Sequence, residues 1–270
     1  MINQTVAAIE SELNPLGKST AYVDQYAPAL LYPIPRERHG MADFYGVDIW
    51  NAWEISWLNP RGKPIVAVGE FRIPASSPNL IESKSFKLYL NSLNQTVFES
   101  FEAVQAVVER DLSAVAGAPV SLLLTPIERE YQAAPAARCI DDLDVAIRAY
   151  QPDAALLQVD GDEWEGWLCS HLLKSNCPVT SQPDWGSVYI WYRGRRIDEE
   201  SLLAYVVSMR QHQGFHEQCV ERMFTDIQER CAPESLLVYA RYVRRGGLDI
   251  NPLRASFGDF DAPNFLLLRQ

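Results

Sequence analysis

The sequence predicts an α+β protein built from antiparallel strands, with helices packed on one face of each sheet. Strand-like and helix-like segments follow one another in the order strand, strand, helix, helix, strand, strand, and the helices are grouped between hairpins. Hydrophobic residues make up 47% of the 270-residue chain and charged residues 22%, close to the average of globular proteins. A chain of this length favours two domains over one.

The first half contains a hairpin followed by two helices. Its strands are rich in β-branched and aromatic residues, and the turn Asn59-Pro60-Arg61-Gly62-Lys63 between the first two indicates a hairpin. Apolar residues at helical spacing predict the two helices. In order, the predicted elements are strands at Asp48–Leu58 and Ile65–Ile73, helices at Ser85–Leu93 and Val97–Val115, and a strand at Val120–Leu124. The pattern does not identify a closing strand for this half.

The second half repeats this order after an Ala/Pro linker near Ala133–Ala137, and it ends in a hairpin with the turn Arg244-Arg245-Gly246-Gly247. Its predicted elements are strands at Ala154–Leu168 and Ser187–Tyr192, helices at Glu199–Met209 and Glu217–Arg230, and strands at Leu236–Val243 and Leu248–Leu253. We therefore expect a module at residues 41–135 and a second at 136–270. Residues 1–40, with an amphipathic stretch at Val6–Leu13 and a Pro-rich segment at Tyr32–Pro35, are expected to form an N-terminal arm.

The charge balance disfavours direct binding to nucleic acid. Lys and Arg number 24 against 35 Asp and Glu, which gives a net charge of -11, and no Lys/Arg-rich run compensates for it locally. No apolar run reaches the length of a spanning helix, and Glu10 and Glu12 interrupt any signal-like segment, so a cytoplasmic protein without membrane contact is expected. The five cysteines form no CxxC pair, which favours free thiols over disulfides or a structural zinc site.

Several common catalytic signatures are missing. The sequence has no GxGxxG after a strand, no GxxxxGK[ST], and no HExxH, since His216-Glu217-Gln218-Cys219-Val220 lacks the second histidine. A Rossmann oxidoreductase, a P-loop enzyme and a zincin are therefore disfavoured. The remaining polar clusters are Ile81 to Tyr89, Ser175 to Pro178 with Asp184 to Gly186, Phe215 to Glu217, and Arg244 to Gly247.

At these four clusters, taken in order, the chain resembles the 7-cyano-7-deazaguanine reductases of queuosine biosynthesis, in their long two-module type. The resemblance extends from about Val47 to Asn251, and the segment Glu-Ser-Lys-Ser-Phe-Lys-Leu-Tyr at residues 82–89 is similar to that family's NADPH-associated signature. It implies tandem tunnelling-fold modules and the NADPH-dependent reduction of a nitrile to a primary amine. It also implies a deazapurine substrate and NADPH as the cofactor, with no metal.

The resemblance makes Cys177 the nucleophile and Asp184 the acid. A thiolate that adds to a nitrile carbon produces a C=N bond that accepts hydride, and the nitrogen then needs a proton from a nearby acid. From the residues alone, a lone cysteine is more often a small packed side chain, and an Asp before Trp185-Gly186 serves equally well as a turn cap. Cys139, Cys169, Cys219 and Cys231 are expected to be packing residues.

The substrate contacts implied by the resemblance are a glutamate, a histidine and a short run from the first module. Glu217 would accept hydrogen bonds from the N–H and amino groups of the heterocycle, and His216 would hold the ring or help to move protons. Ile81, Glu82 and Ser83 would supply a second contact. Without the family, Glu217 is simply a favourable acidic residue in the first turn of a helix.

The implied cofactor contacts are Ser83, Lys84, Arg245 and Gly246, because Lys and Arg suit the phosphates of NADPH and a serine hydroxyl can donate to them. Their alternative interpretation is a solvated surface charge and an ordinary hairpin turn. Lys87, further along the same helix, is a weaker candidate.

Two other functions remain open from the sequence. A zinc-dependent cyclohydrolase would use Cys177 and a histidine such as His171 as metal ligands. A non-catalytic purine or pterin binding module would need only Glu217. Exposed sheet edges favour at least a homodimer, and the resemblance implies an oligomer as well.

Overall fold

The computed structural model describes residues 13–15, 18–38 and 40–270. Its strands are β1 (Pro33–Pro35), β2 (Tyr45–Leu58), β3 (Pro64–Pro74), β4 (Asn79–Ile81), β5 (Ser121–Thr125), β6 (Arg138–Cys139), β7 (Val159–Ser170), β8 (Lys174–Asn176), β9 (Pro183–Ile197), β10 (Ser235–Tyr242) and β11 (Leu248–Ala255). Its α-helices are α1 (Ser83–Asn91), α2 (Phe101–Ala116), α3 (Glu199–Ser208) and α4 (His216–Cys231). Short 3-10 turns occupy Pro28–Leu30, Ala154–Leu156 and Met209–Gln211.

The chain divides into two units. The first contains the described residues of 1–39, together with 48–130 and 244–249, and the second contains 40–47, 131–243 and 250–270. Strands and helices occur in both. The pairs β1–β4, β3–β5, β7–β9, β8–β9, β9–β10 and β10–β11 are antiparallel, and β6 pairs with β7 in parallel. The predicted α+β class with antiparallel sheets is therefore confirmed.

In the first unit, β2, β3 and β5 are successive neighbours in a sheet, and β1 pairs with β4. The predicted hairpin is present, and Asn59 closes its turn by accepting backbone N–H bonds from Arg61 and Lys63, each at 2.9 Å. Aromatic rings fill the core, with Phe86 from α1 lying 5.3 Å from Trp50 and 4.9 Å from Phe71 between ring centroids. Burial of these rings therefore fixes α1 against the sheet.

In the second unit, β11, β10, β9, β7 and β6 lie side by side in that order, and β8 also pairs with β9. The fully buried face of α4 carries Val220, Met223, Phe224 and Ile227, whose spacing of three and four residues makes one apolar stripe. This stripe joins one hydrophobic cluster with α3, β9 and β10. The helix ends at Cys231, where Ala232 takes the left-handed conformation with φ 47°.

Most predicted elements are present, and some of their bounds differ from the prediction. The helix predicted at Val97 begins at Phe101, because Ser100 caps it through a bond from the Ala103 N–H of 3.2 Å. The strand predicted from Ala154 begins at Val159, because Asp153 accepts the Ala155 N–H and turns the chain there. The amphipathic stretch at Val6–Leu13 lies outside the described residues, apart from Leu13.

None of the helices in the described parts of the chain is both long enough and apolar enough to cross a membrane.

A buried ion pair ties α4 to β11 within the second unit. Arg254 donates to Glu221 Oε1 from Nε at 3.1 Å and from Nη2 at 2.7 Å, and the two side chains are 0% and 3% exposed. Two charges of this kind are stable out of water only while each compensates the other.

We expect Glu221→Ala to lower the free energy of unfolding by about 3–5 kcal/mol, because the Arg254 guanidinium then stays buried without that carboxylate. Urea titration of the variant measures the loss. Glu234→Ala is the matched control, since Glu234 pairs with Arg193 at the surface, with exposures of 65% and 53%, and its loss should be below about 1 kcal/mol. Equal losses in both variants would contradict the expectation.

Candidate active site

Cys177 lies at the start of the loop that joins β8 to β9. Its N–H donates to Gln182 O at 2.9 Å, its carbonyl accepts the Ser181 N–H at 3.0 Å, and Ser181 has a left-handed φ of 55°. The Thr180 N–H points at the Cys177 sulfur, with N and Sγ 3.5 Å apart. Cys177 is 7% exposed. The Cys177 sulfur is therefore buried at the end of the β8–β9 pair and lies next to a backbone N–H donor.

Asp184 is the second residue of β9 and is 4% exposed. In the β8–β9 pair it lies opposite Ser175, and the pairing continues through Asn176 with Pro183 to the bond between Cys177 and Gln182. Paired residues share a face, and so do residues two apart on one strand. The strand register therefore directs Asp184 and Cys177 to the same side of the hairpin.

His216 is the first residue of α4 and lies beside Asp184. Its Nε2 is 3.5 Å from Asp184 Oδ2. The imidazole stacks flat on Tyr242, with centroids 3.9 Å apart and an interplanar angle of 3°. Nδ1 of His216 is buried and bonds to no group of the described residues. The site therefore has a carboxylate and an imidazole whose positions are set by a strand and by an aromatic face.

The start of α4 is held to β8 by backbone bonds. Asn176 donates its N–H to His212 O at 2.8 Å and accepts the Gly214 N–H at 3.2 Å. Lys174 Nζ adds bonds to Asn176 Oδ1 at 2.5 Å and to Arg210 O at 2.7 Å. These contacts place the segment that leads into His216 directly against the strand that leads into Cys177.

Glu217 follows His216 in the first turn of α4 and is 3% exposed. Phe215 precedes the helix, and its N–H donates to Gln218 Oε1 at 3.0 Å, which secures this first turn. A carboxylate here is stabilised by the positive end of the helix dipole. The structure thus brings Cys177, Asp184, His216 and Glu217 into the second unit on elements bonded to one another.

The other cysteines are free thiols in different surroundings. Burial raises the pKa of Cys219 to about 11 and that of Cys231 to about 11. Burial, with the neighbouring Cys139 and Asp141, raises the pKa of Cys169 to about 12. Cys139 is exposed, so the expectation that it is a packing residue was wrong, because β6 is a short edge strand that leaves its side chain at the surface.

In the first unit, Glu82 is the N-cap of α1. Its carboxylate accepts the Lys84 N–H at 2.7 Å on Oε1 and the Ser85 N–H at 2.6 Å on Oε2, and Ser83 Oγ lies 3.4 Å from Oε1. Burial raises the pKa of Glu82, and these hydrogen bonds offset part of the rise. Ile81, the last residue of β4, is buried beside it. The cap explains why α1 begins at Ser83, two residues before the predicted start.

The predicted cofactor residues lie on α1 and in the turn before β11, both in the first unit. Lys84 Nζ donates to the carbonyls of Pro15, at 3.0 Å, and Lys18. Gly246 has φ 61°, and a Cβ placed there would lie 2.8 Å from Lys87 Nζ, so this turn closely approaches the Lys87 ammonium group. The N–H of Arg245 closes the turn on Leu248 O at 2.8 Å. The turn at Gly246 and the Lys87 ammonium group therefore lie side by side.

Lys87, the weaker candidate from the sequence, and Arg244, to which the sequence assigned no role, are further cations on α1 and in the turn. Lys87 follows Lys84 by three residues, so the two share a helix face, and that spacing was available in the sequence. The Arg244 guanidinium lies 4.0 Å from the centroid of the Trp53 ring, and Trp53 Nε1 donates to Asp249 Oδ2 at 2.5 Å. No local pattern predicts this stacking, because Trp53 and Arg244 are far apart in the chain.

Comparison with known proteins identifies the family. Residues 22–124 match the family described as "Nitrile reductase, 7-cyano-7-deazaguanine-reductase N-term", and residues 183–258 match "QueF-like protein". The chain is 55% identical, over 97% of its length and 97% of the relative's, to an NADPH-dependent 7-cyano-7-deazaguanine reductase of Dechloromonas aromatica (strain RCB).

The chain belongs to the 7-cyano-7-deazaguanine reductase family. A second member, the NADPH-dependent 7-cyano-7-deazaguanine reductase of Azoarcus sp. (strain BH72), is also 55% identical and covers 96% of both chains. The resemblance inferred from the four polar clusters is therefore confirmed. Among solved structures, the apo form of an archaeosine synthase QueF-Like covers 37% of this chain and 97% of its own, at 19% identity and a TM-score of 0.32.

Family membership leaves open how the metal-ligating residue types are used. Within the described parts of the chain, the group with spacing suitable for a metal ion is Cys139, Cys169 and His171. Cys177 is not a member of this group. The cyclohydrolase alternative paired His171 with Cys177 as metal ligands. In the structure, the cysteines grouped with His171 are Cys139 and Cys169.

In this family member we expect iodoacetamide to label Cys139 and Cys177 before Cys219 and Cys231. With a pKa of about 11, the last two are thiolates in only about one molecule in a thousand at pH 8, and each further pH unit should raise that fraction about tenfold. Peptide mapping after timed labelling measures the order. Equal labelling rates at Cys177 and Cys219 would contradict this order.

Proposed function

We propose that the protein reduces the nitrile of 7-cyano-7-deazaguanine to the aminomethyl group of 7-aminomethyl-7-deazaguanine, with NADPH, through a covalent thioimide at Cys177. The product would enter queuosine biosynthesis. The observation that carries the proposal is the Cys177 loop, in which the Thr180 N–H points at the sulfur and the β8–β9 register brings Asp184 to the same side. Identity of 55% to reductases of this name supports the substrate and the cofactor.

Cys177 and Asp184 divide the first step between them. The thiolate adds to the nitrile carbon, and Asp184 delivers a proton to the nitrogen, which leaves a C=N bond with sulfur on carbon. Two molecules of NADPH, bound one after the other, would each supply one of the two hydrides that take the nitrile to a primary amine. After the first reduction the C–S bond breaks, the sulfur leaves as thiolate, and an imine remains for the second reduction.

Glu217 and His216 orient the heterocycle. A deazaguanine presents neighbouring N–H and amino donors, which a buried carboxylate such as Glu217 accepts as a pair. His216, stacked on Tyr242 and beside Asp184, is placed to pass protons to and from that acid. Glu82, with Ile81 and Ser83, is proposed as a further substrate contact, although both of its oxygens already cap α1.

The cations of α1 and of the turn at Arg244–Leu248 fit the phosphates of NADPH. Lys84 and Lys87 share a face of α1, and the turn that carries Arg245 approaches Lys87, which adds positive charge here in a chain whose net charge is -11. Ser83 adds a hydroxyl donor, and the positive φ of Gly246 lets the turn approach Lys87 closely, where a side chain would collide. These residues suit the extra phosphate that distinguishes NADPH from NADH.

We further propose that the chain consists of an arm at residues 1–40 and two tunnelling-fold modules that meet near residue 135. The protein would act in the cytoplasm on the free base, since its acidic composition disfavours tRNA. Exposed sheet edges favour at least a homodimer.

Cys177→Ala should still bind the nitrile but form no adduct and consume no NADPH, because Glu217 remains while the nucleophile is gone. The parent, mixed with 7-cyano-7-deazaguanine without NADPH, should gain the mass of one substrate, measured by intact-mass analysis. Cys231→Ala, a buried cysteine on the far end of α4, is the matched control and should form the adduct. Reduction of the nitrile by Cys177→Ala at the parental rate would exclude covalent catalysis at this residue.

Lys84→Ala and Arg245→Ala should each raise the KM for NADPH on the order of tenfold or more, since a charge-assisted phosphate contact is worth about 1.5–3 kcal/mol. Nitrile binding, measured separately, should change far less. Lys63→Ala removes an exposed cation from the β2–β3 turn and should leave the KM for NADPH unchanged. An unchanged NADPH dependence in Lys84→Ala and Arg245→Ala would remove both residues from the cofactor site.

Glu217→Gln should weaken substrate binding by about 2–3 kcal/mol, because one acceptor oxygen is replaced by a donor that opposes the donors of the heterocycle. Calorimetry on the Cys177→Ala background measures this without turnover. Glu229→Gln, on the exposed side of the same helix, should bind as the parent does. Equal affinity in Glu217→Gln and the parent would show that the anchor is another residue.

A further inference from the structure

Three ligand-type side chains converge where β6 runs beside β7. Cys139 and Cys169 are direct partners in the parallel β6–β7 pair. His171 follows Cys169 by two residues, which directs it to the same face. The two sulfurs and a ring nitrogen of His171 all lie within 4.8 Å of one another. Three donors from two chain segments therefore point at one small volume.

Hydrogen bonds to its ring and to its backbone fix the orientation of His171, as is usual for a histidine that binds a metal ion. Its Nδ1 lies 2.9 Å from Ser187 Oγ, which also accepts a bond of 2.9 Å from Arg269 Nη2. A hydroxyl oxygen has two acceptor positions, so it can take Nδ1–H and the Arg269 donor together, which leaves Nε2 as the nitrogen for an ion. Asp141 fixes the backbone by accepting the His171 N–H at 2.8 Å and Ser170 Oγ at 2.6 Å. Such outer contacts set the tautomer of a ligating histidine.

We propose that Cys139, Cys169 and His171 bind one Zn²⁺ ion. Two thiolates and an imidazole are a common donor set for zinc, and with bonds of about 2.3 Å to sulfur and 2.0 Å to nitrogen the ligand atoms of a tetrahedron lie about 3.4–3.8 Å apart. The present separations need to contract by about 1 Å. Water takes the fourth position, because Cys139 is exposed and both carboxylate oxygens of Asp141 already accept bonds.

A disulfide between Cys139 and Cys169 is the competing use of the same residues. It requires only the two sulfurs and gives no role to the histidine that Ser187 and Asp141 hold beside them. Zinc uses all three donors. It also explains how the two-residue strand β6, at the edge of the sheet, would be secured to β7. The site shares no residue with Cys177, Asp184, His216 or Glu217, so it is independent of the proposed reduction.

Titration of the full chain, reduced and stripped of metal, with Co²⁺ tests the proposal. One equivalent should produce the thiolate-to-cobalt charge-transfer absorption and the visible bands of a tetrahedral site, and Zn²⁺ should abolish both. Cys139→Ser, at an exposed position that tolerates the change, and His171→Gln should lose this spectrum. Cys177→Ser and Cys231→Ser are the matched thiol controls and should keep it. Ser187→Ala should lower the affinity for Zn²⁺ about tenfold or more.

A second readout does not depend on cobalt. Zn²⁺ should protect Cys139 from iodoacetamide in the parent and fail to do so in His171→Gln. The proposal is overturned if the cobalt spectrum survives in Cys139→Ser and His171→Gln, or if it disappears in Cys177→Ser. It is also overturned if the reduced protein takes up no metal while mild oxidation links Cys139 to Cys169, which peptide mapping would detect.

Discussion

The three residues of β8 are the element on which the candidate active site depends. Their backbone pairs with β9 on one side, where Ser175 lies opposite Asp184, and Asn176 bonds to His212 and Gly214 on the other. One short strand therefore sets the distance between the Cys177 loop, the acid on β9 and the start of α4. A change that breaks either set of bonds would separate groups that are far apart in the chain. The same strand register thus serves both folding and chemistry.

Several features were predictable because they are local. The turn Asn59–Lys63 carries its own Asn and Gly signals, and the apolar stripes of α2 and α4 repeat at helical spacing. The boundaries were harder, because a cap is a matter of one side chain. Because Glu82 caps α1, that helix begins earlier in the chain than predicted. Because Ser100 caps α2, that helix begins later than predicted. The residue types were visible in both cases, but the hydrogen bonds that decide between possible starts were not.

The unpredictable features join distant parts of the chain. Cys139 and His171 come together only because β6 pairs with β7 in one particular register, which no periodicity encodes. The stacking of Arg244 on Trp53 has the same origin. Candidate residues within a motif, such as His216 and Glu217, were found from the sequence because a helix start keeps them adjacent. Their partners Asp184 and Tyr242 are brought to them by strands, and only Asp184 had a motif of its own.

The two buried glutamates at helix starts are used differently. Glu82 precedes α1, and its two carboxylate oxygens accept hydrogen bonds from the backbone N–H groups of Lys84 and Ser85 in the first turn of that helix. Glu217 lies inside the first turn of α4, where the Gln218 side chain binds the N–H of Phe215 instead. The same residue type, displaced by two positions relative to the helix start, is a structural cap in one unit and a candidate ligand for a heterocycle in the other.

The stacking of His216 on Tyr242 restricts more than the position of the ring. An imidazole lying flat at 3.9 Å against a fully buried tyrosine cannot rotate about its own bond without first displacing that neighbour. The stacking therefore fixes which nitrogen, Nε2, faces Asp184. In the proposed reduction, both hydride steps would then share this one His216–Asp184 contact for proton transfer.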